Sequence, residues 1–273
     1  MRSLFISSSS SSRLNRPFRY GDADAGEHTV ACKTEYTEVS WAQTLAHRFQ
    51  VTAEVMVSKI FPAGFGWQGF SVLAENYGMA SDSMSFALTT GLGDGLGVVT
   101  GHTLFMALKK AATGNESIDV GIELQTGILL GSAAFCSGTA WQPVVNALTA
   151  TGFGFNTAAA GTTVACALAF YGGLRLSRLL YPSLGMRGIE PPSYSNLKAD
   201  ATLSLSVGGA TGAFVGTDVS FGDQNWLRPI VGIEDGTADL AGMATAGGST
   251  ALGFAVFQSL QNTSFSRGKS WVD

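Results

Sequence analysis

From Leu124 to Leu174 the chain runs 51 residues without an Asp, Glu, Lys, Arg or His. A helix at a soluble surface keeps a polar face toward water, so a run this long must be buried in protein or in lipid. A membrane-crossing helix needs about 20 mostly apolar residues, which gives room for two, with a break expected near Gln142–Pro143. Only 13% of all residues are charged, against roughly 25% in soluble domains. The competing reading, the buried core of a soluble helical protein, is weaker because such a core rarely runs so far without a charged face.

Glycine supplies 35 of the 273 residues, and its placement is ordered. Shifted against itself by 115 positions, the chain matches IDVGIELQTG (118–127) to IEDGTADLAG (233–242). Gly93, Gly97 and Gly101 fall on Gly208, Gly212 and Gly216, and Gly121, Gly127 and Gly138 fall on Gly236, Gly242 and Gly253. Two windows holding 10 and 11 glycines over 58 positions coincide about twice by chance, and six coincide here, the signature of an internal repeat. The stretch 57–62 also resembles 176–182 with one inserted residue, which would extend the repeat to three helices.

These patterns predict an all-α, polytopic helical membrane protein. About five transmembrane helices are expected, near 85–108, 121–141, 155–176, 201–219 and 236–259. Residues 1–38 read as a targeting or extended segment. Residues 39–80 read as an amphipathic surface helix followed by an interfacial Gly- and aromatic-rich loop from 61 to 79. Hairpin repeats occupy 81–150 and 199–260, a connecting span and polar loop 151–198, and a polar tail 261–273. Three crossings between the hairpins would set the copies in opposite orientations, as in the inverted repeats of many transporters. With five spans, Lys109, Lys110, Arg175, Arg178, Arg187, Lys198, Arg267 and Lys269 share one side, and Lys33, Arg48, Lys59 and Arg228 the other. The positive-inside rule then leaves the N-terminus outside, at odds with the address it carries. That address is MRSLFISSSSSSRLNRPFRY, Arg- and Ser-rich with no acid before Asp22, the composition of an organelle transit peptide. It points to the mitochondrial inner membrane, with a plastid membrane as the alternative.

Small residues spaced by four let helix backbones approach closely in lipid. The expected packing positions are Gly93, Gly97, Gly101, Gly127, Gly131, Gly208, Gly212, Gly216 and Gly242. They serve either packing within one bundle or docking onto a neighbouring subunit. Ionisable residues inside a span are costly and mark functional candidates. Asp94 is the deepest of these, with Asp218 and Asp239 as further candidates, and His102 and Glu123 near span ends. The acids do not repeat between the halves, which argues against a symmetric two-fold site.

No catalytic constellation is visible, and no enzyme activity is expected. His28, His47 and His102 are too dispersed for a metal site, and Cys32, Cys136 and Cys166 form no CxxC motif, so neither metal nor cofactor is expected beyond bound lipid. The net charge of −4 and the lack of a basic patch exclude nucleic acid. The expected function is a structural accessory subunit of a large mitochondrial inner-membrane assembly, a respiratory chain complex or ATP synthase. Its partners would be other membrane subunits and lipids. The alternative is a small inner-membrane transporter or channel.

Overall fold

A computed structural model of the protein describes residues 50–153 and 155–220, together with positions 46, 248, 251, 254 and 255. All belong to the unit Trp41–Asp273. Every regular element among them is helical. Helix α1, Phe61–Asn76, grows out of helical residues 50–55 and a π-helical turn, Met56–Ile60. Then follow α2, Met84–Thr113, α3, Val120–Ala150, and α4, Phe155–Leu180. A 3-10 turn at Pro182–Leu184 leads to α5, Tyr194–Ser220. The targeting segment, most of the fifth expected span, Asp239 and Gly242 lie outside the described residues.

Residues 50–76 thus form one continuous rod, about 40 Å long at 1.5 Å per residue. The expected loop at 61–79 is mostly helix. Pro62 sits in the first turn of α1, where a missing N–H costs least. The π turn absorbs the adjustment, with the Phe61 N–H reaching back to the Met56 carbonyl. The Gly and aromatic residues that resemble a loop form a packing face, with Gly64 and Trp67 buried. The expected break at Gln142–Pro143 is also absent, for α3 continues to Ala150. Pro143 forfeits a single backbone bond there, while Gln142 donates to Asn146 across the same turn at 2.9 Å.

Side chains and glycines set the other helix ends. Ser83 caps α2 by accepting from the Phe86 N–H at 3.1 Å, and Gly114 ends it in the left-handed conformation at φ 64°. Asp119 caps α3, accepting from the N–H groups of Gly121 and Ile122 at 2.8 and 3.3 Å. An acid there also complements the helix dipole.

Successive helices pack against one another along the chain, α1 on α2, α2 on α3, α3 on α4 and α4 on α5. Ala251 and Phe254 are buried with Ile60 of the π turn and Ala210 of α5. The glycine ridges face inward. A Cβ on Gly97 would stand 2.7 Å from the Pro62 carbonyl carbon, and one on Gly101 2.7 Å from the Ser58 oxygen. Gly93 lies against Gly66 and Phe70, and Gly95 and Gly131 oppose each other with a would-be Cβ 2.6 Å from the facing carbonyl. Gly127 approaches Val99. In the other half, Gly208 of α5 seats on Thr163 and Ala167 of α4, and Gly212 is buried. Gly216 lies in the last turns of α5.

These contacts refine the chain's self-match. Gly93 meets residues 66 and 70 of α1 as Gly208 meets residues 163 and 167 of α4. On that register residues 57–62 correspond to the start of α4, not to 176–182 at its end. The similarity of those two short stretches therefore pairs a helix start with a helix end and does not extend the repeat.

The alternation of helix directions sorts the charges. Lys59, Lys109, Lys110, Arg175, Arg178, Arg187 and Lys198, the Lys and Arg residues between 50 and 220, all lie at one end of the bundle. Lys109 donates to Glu54 at 2.8 Å, Arg178 grips Asp200, and the Gly188 N–H donates to Gln125. The opposite end carries Glu75 in the last turn of α1 and Asp82 in the loop that follows. Lys59 therefore joins the group from which a five-span reading separates it, because the 50–76 rod adds a pass through the bundle before α2.

One described helix, Val120–Ala150, is long and apolar enough to cross a membrane by length and composition alone, with mean hydropathy 1.3 over its best window. The others are diluted by Gly, Ser and Thr. Many of those hydroxyls bond back to the preceding turn, as Thr90 does to Phe86, Thr162 to Ala158 and Ser204 to Asp200.

Candidate functional site

The described helices line a partly open cavity with about 70 Å³ of water-sized free space. Its wall takes Lys59, Ile60, Ala63 and Trp67 from the 50–76 rod, Asp94 and Val98 from α2, and Leu130, Ala134, Gly138 and Trp141 from α3. Phe170 of α4 and Leu203, Val207 and Thr211 of α5 complete it. The wall is almost wholly apolar. Its polar exceptions are Asp94, Lys59 and Thr211.

Close helix approach admits Asp94 at this depth. Gly138 of α3 lies beside the carboxylate, where a Cβ would stand 2.8 Å from Oδ2 and 2.9 Å from the Asp94 Cβ. Gly91 and Gly95 flank it in sequence and let α3 come close. The Asp94 side chain is partly buried, and no described side chain donates a hydrogen bond to it. Two aromatic groups stand at the same level. Trp67 and Trp141 meet edge to face with centroids 4.6 Å apart and planes at 70°, packed on the fully buried Cys166. The Cys166 thiol is occupied by the Ser137 carbonyl at 3.4 Å.

Lys59 is within the electrostatic reach of Glu54 and Glu123. His102, 4% exposed, shares a 2.9 Å hydrogen bond between Nε2 and the Glu123 carboxylate. His102 and Glu123, expected at separate span ends, are thus paired between α2 and α3.

Among the described residues, Asp94 is the one sequence-derived acid candidate in the cavity wall. Asp218 lies in the last turn of α5, and Asp239 is outside the described residues. Sequence reasoning missed Lys59, Trp67, Trp141 and Asp200. Lys59 read as the polar face of a surface helix, Trp67 as part of the interfacial loop, and Trp141 as the end of an expected span. Their meeting depends on two helices 74 positions apart in the chain, which no local pattern reports. No group of three metal-ligating side chains occurs among the described residues. The chain matches no known family, no curated protein and no solved structure.

Proposed function

We propose that this chain is a polytopic helical membrane protein that carries a small solute through the cavity walled by its own helices. The observation that carries the reading is an apolar cavity between the described helices in which Asp94 is the one carboxylate among the described lining residues. No described side chain donates to that acid, and an intramembrane charge is costly and is retained where it has work to do.

The outer faces support the bilayer. Leu88, Leu92, Leu96, Leu104 and Leu108 form a stripe along α2, each 43–61% exposed. Only 33% of the most apolar α3 window is buried inside the protein, whereas the core helix of a soluble protein is mostly buried. A continuous apolar exterior of this kind marks contact with lipid or with other proteins. The gathering of Lys and Arg at one end fits the positive-inside rule. The Arg- and Ser-rich start favours an organelle inner membrane, a mitochondrial one first. The equivalent seating of Gly93 and Gly208 supports two three-helix units, and an odd number of passes per unit inverts one against the other.

The accessory-subunit reading rests on the organelle address, the glycine-faced helices and the polar extensions; among the described glycines, Gly93, Gly97, Gly101, Gly127, Gly131 and Gly208 face helices of this chain itself.

The test is solute flux. Liposomes carrying the purified full chain are shrunk in hyperosmotic choline chloride, glycine, glycerol or sucrose, and their recovery is followed by light scattering. At least one of the smaller solutes is expected to enter several-fold faster than into protein-free vesicles, and sucrose is expected not to enter. Ala134→Leu, which fills the cavity from a position 3% exposed, should remove the difference. Rates equal to protein-free vesicles for every solute, with native-gel migration in an assembly of hundreds of kilodaltons, would establish the accessory-subunit reading instead.

A further inference from the structure

The cavity has one chemistry to offer at its centre, and it selects among solutes. Asp94 brings a carboxylate with no donor from the described residues. Trp67 and Trp141, set at 70° to each other, form an aromatic corner in the same wall. We infer that the solute is a small organic cation, an alkylammonium or quaternary ammonium, held by Asp94 against the Trp67–Trp141 corner. The inference rests on the transport reading above for what the cation does next, and on the site alone for its binding.

Each other class of solute fails on a specific count. A bare metal cation wants six or more oxygen ligands, and among the described lining residues only Asp94 and Thr211 bring side-chain oxygens. An anion meets the Asp94 charge in an apolar wall. A neutral solute gives the acid at most a hydrogen bond, and a buried acid without a counter-charge sheds its charge by taking up a proton, so nothing holds the solute by charge. An organic ammonium answers all three. Its charge is spread over weakly hydrated methyl or methylene groups, which lose little on entering an apolar space. Aromatic faces attract such cations, Trp best of all. The size agrees as well. The free space, about 70 Å³, is several times the roughly 10–15 Å³ that a single water needs, which leaves room for a small solute and none for a large one.

Lys59 lines the same cavity but does not compete for the site. Trp67 lies eight residues further along the rod, about 12 Å at 1.5 Å per residue. Glu54 and Glu123 act on the lysine at its own end. The like charge there holds a bound cation at the Asp94 level.

Binding is measured on the full chain in detergent with radiolabelled choline, competed by unlabelled choline, by 3,3-dimethyl-1-butanol (its uncharged isostere) and by potassium chloride. Saturable binding is expected, with choline competing at least tenfold better than the isostere and potassium chloride competing only weakly. Asp94→Asn, which keeps shape and removes charge, should weaken binding at least tenfold. Trp141→Phe should weaken it by roughly threefold to tenfold, the range for a cation–π contact made with a poorer ring. Binding unchanged in Asp94→Asn, or an isostere as good as choline, would overturn the proposal. Should Asp94→Asn fail to fold, the wild-type preference for choline over its isostere decides alone. Choline binding without flux of any solute would contradict transport and leave the cation site standing. Flux of other solutes without choline binding would contradict the site and leave transport standing.

Discussion

Gly97→Leu is expected to prevent the chain from forming its bundle, while Gly172→Leu is expected to change stability by no more than about 0.5 kcal/mol, as surface substitutions usually do. Both positions are helical glycines, so helix propensity alone predicts the same outcome for the two. Their surroundings differ. A Cβ at Gly97 would stand 2.7 Å from the carbonyl carbon of Pro62 and 3.1 Å from the Cα of Ala63, both backbone atoms. At Gly172 nothing lies within 4 Å. Overpacking a tight core costs about 1–3 kcal/mol when side chains can shift. Here the rod itself would have to move, which separates α1 from α2 and opens the cavity. Size-exclusion profile and thermal unfolding in mild detergent read the result. A monodisperse Gly97→Leu protein with an unchanged melting point would mean that α1 and α2 do not meet as described.

Asp200→Ala is expected to lose about 3–5 kcal/mol, the usual cost of stripping one partner from a buried ion pair. The Asp200 side chain is 4% exposed. It accepts from Arg178 Nε and Nη2, both at 2.9 Å, and from Arg175 Nη1 at 3.3 Å. Arg175 also donates to Asn196 at 2.7 Å. Removing the carboxylate leaves two guanidinium groups facing each other between α4 and α5. The triple change Arg175→Met, Arg178→Met, Asp200→Leu should recover most of the loss, because apolar groups of similar volume often replace buried charges without penalty. Reversible unfolding followed by tryptophan fluorescence compares the three proteins. A single variant as stable as the wild type would show that the cluster is decorative.

How much of this the sequence announced follows from the range of each signal. The helical content and the close-packing glycines were readable because small residues spaced by four describe a helix face on their own. The 50–76 rod was not. Its first half looks amphipathic because Lys59 and Glu54 gather at one end of a long helix, and its second half looks like a loop because Gly64, Gly66 and Pro62 usually break helices. What keeps it helical is the α2 backbone against it, a partner no local pattern contains. Pro143 misled in the same way. Asp94 stood out because depth in an uncharged stretch is countable along the chain. The tryptophan corner and the Asp200 cluster are built from residues on separate helices. Asp200 in particular sits in a polar stretch, 194–200, that reads as a connector and is in fact the first turns of α5.

The central claim is that a water-filled path reaches the middle of a lipid-embedded bundle. Ala134, midway along α3 and 3% exposed, lies in the cavity wall. A chain whose three native cysteines are replaced by alanine, and which carries Ala134→Cys, can be reconstituted in liposomes and treated with a membrane-impermeant thiol reagent. The reagent is added first outside and then trapped inside. The account predicts labelling from both sides, slowed by choline and abolished when Asp94 is shielded by the added bulk of Val98→Phe. Labelling that appears only after the protein is unfolded would contradict it, leaving the cavity a sealed gap between helices and the chain without a path to carry anything.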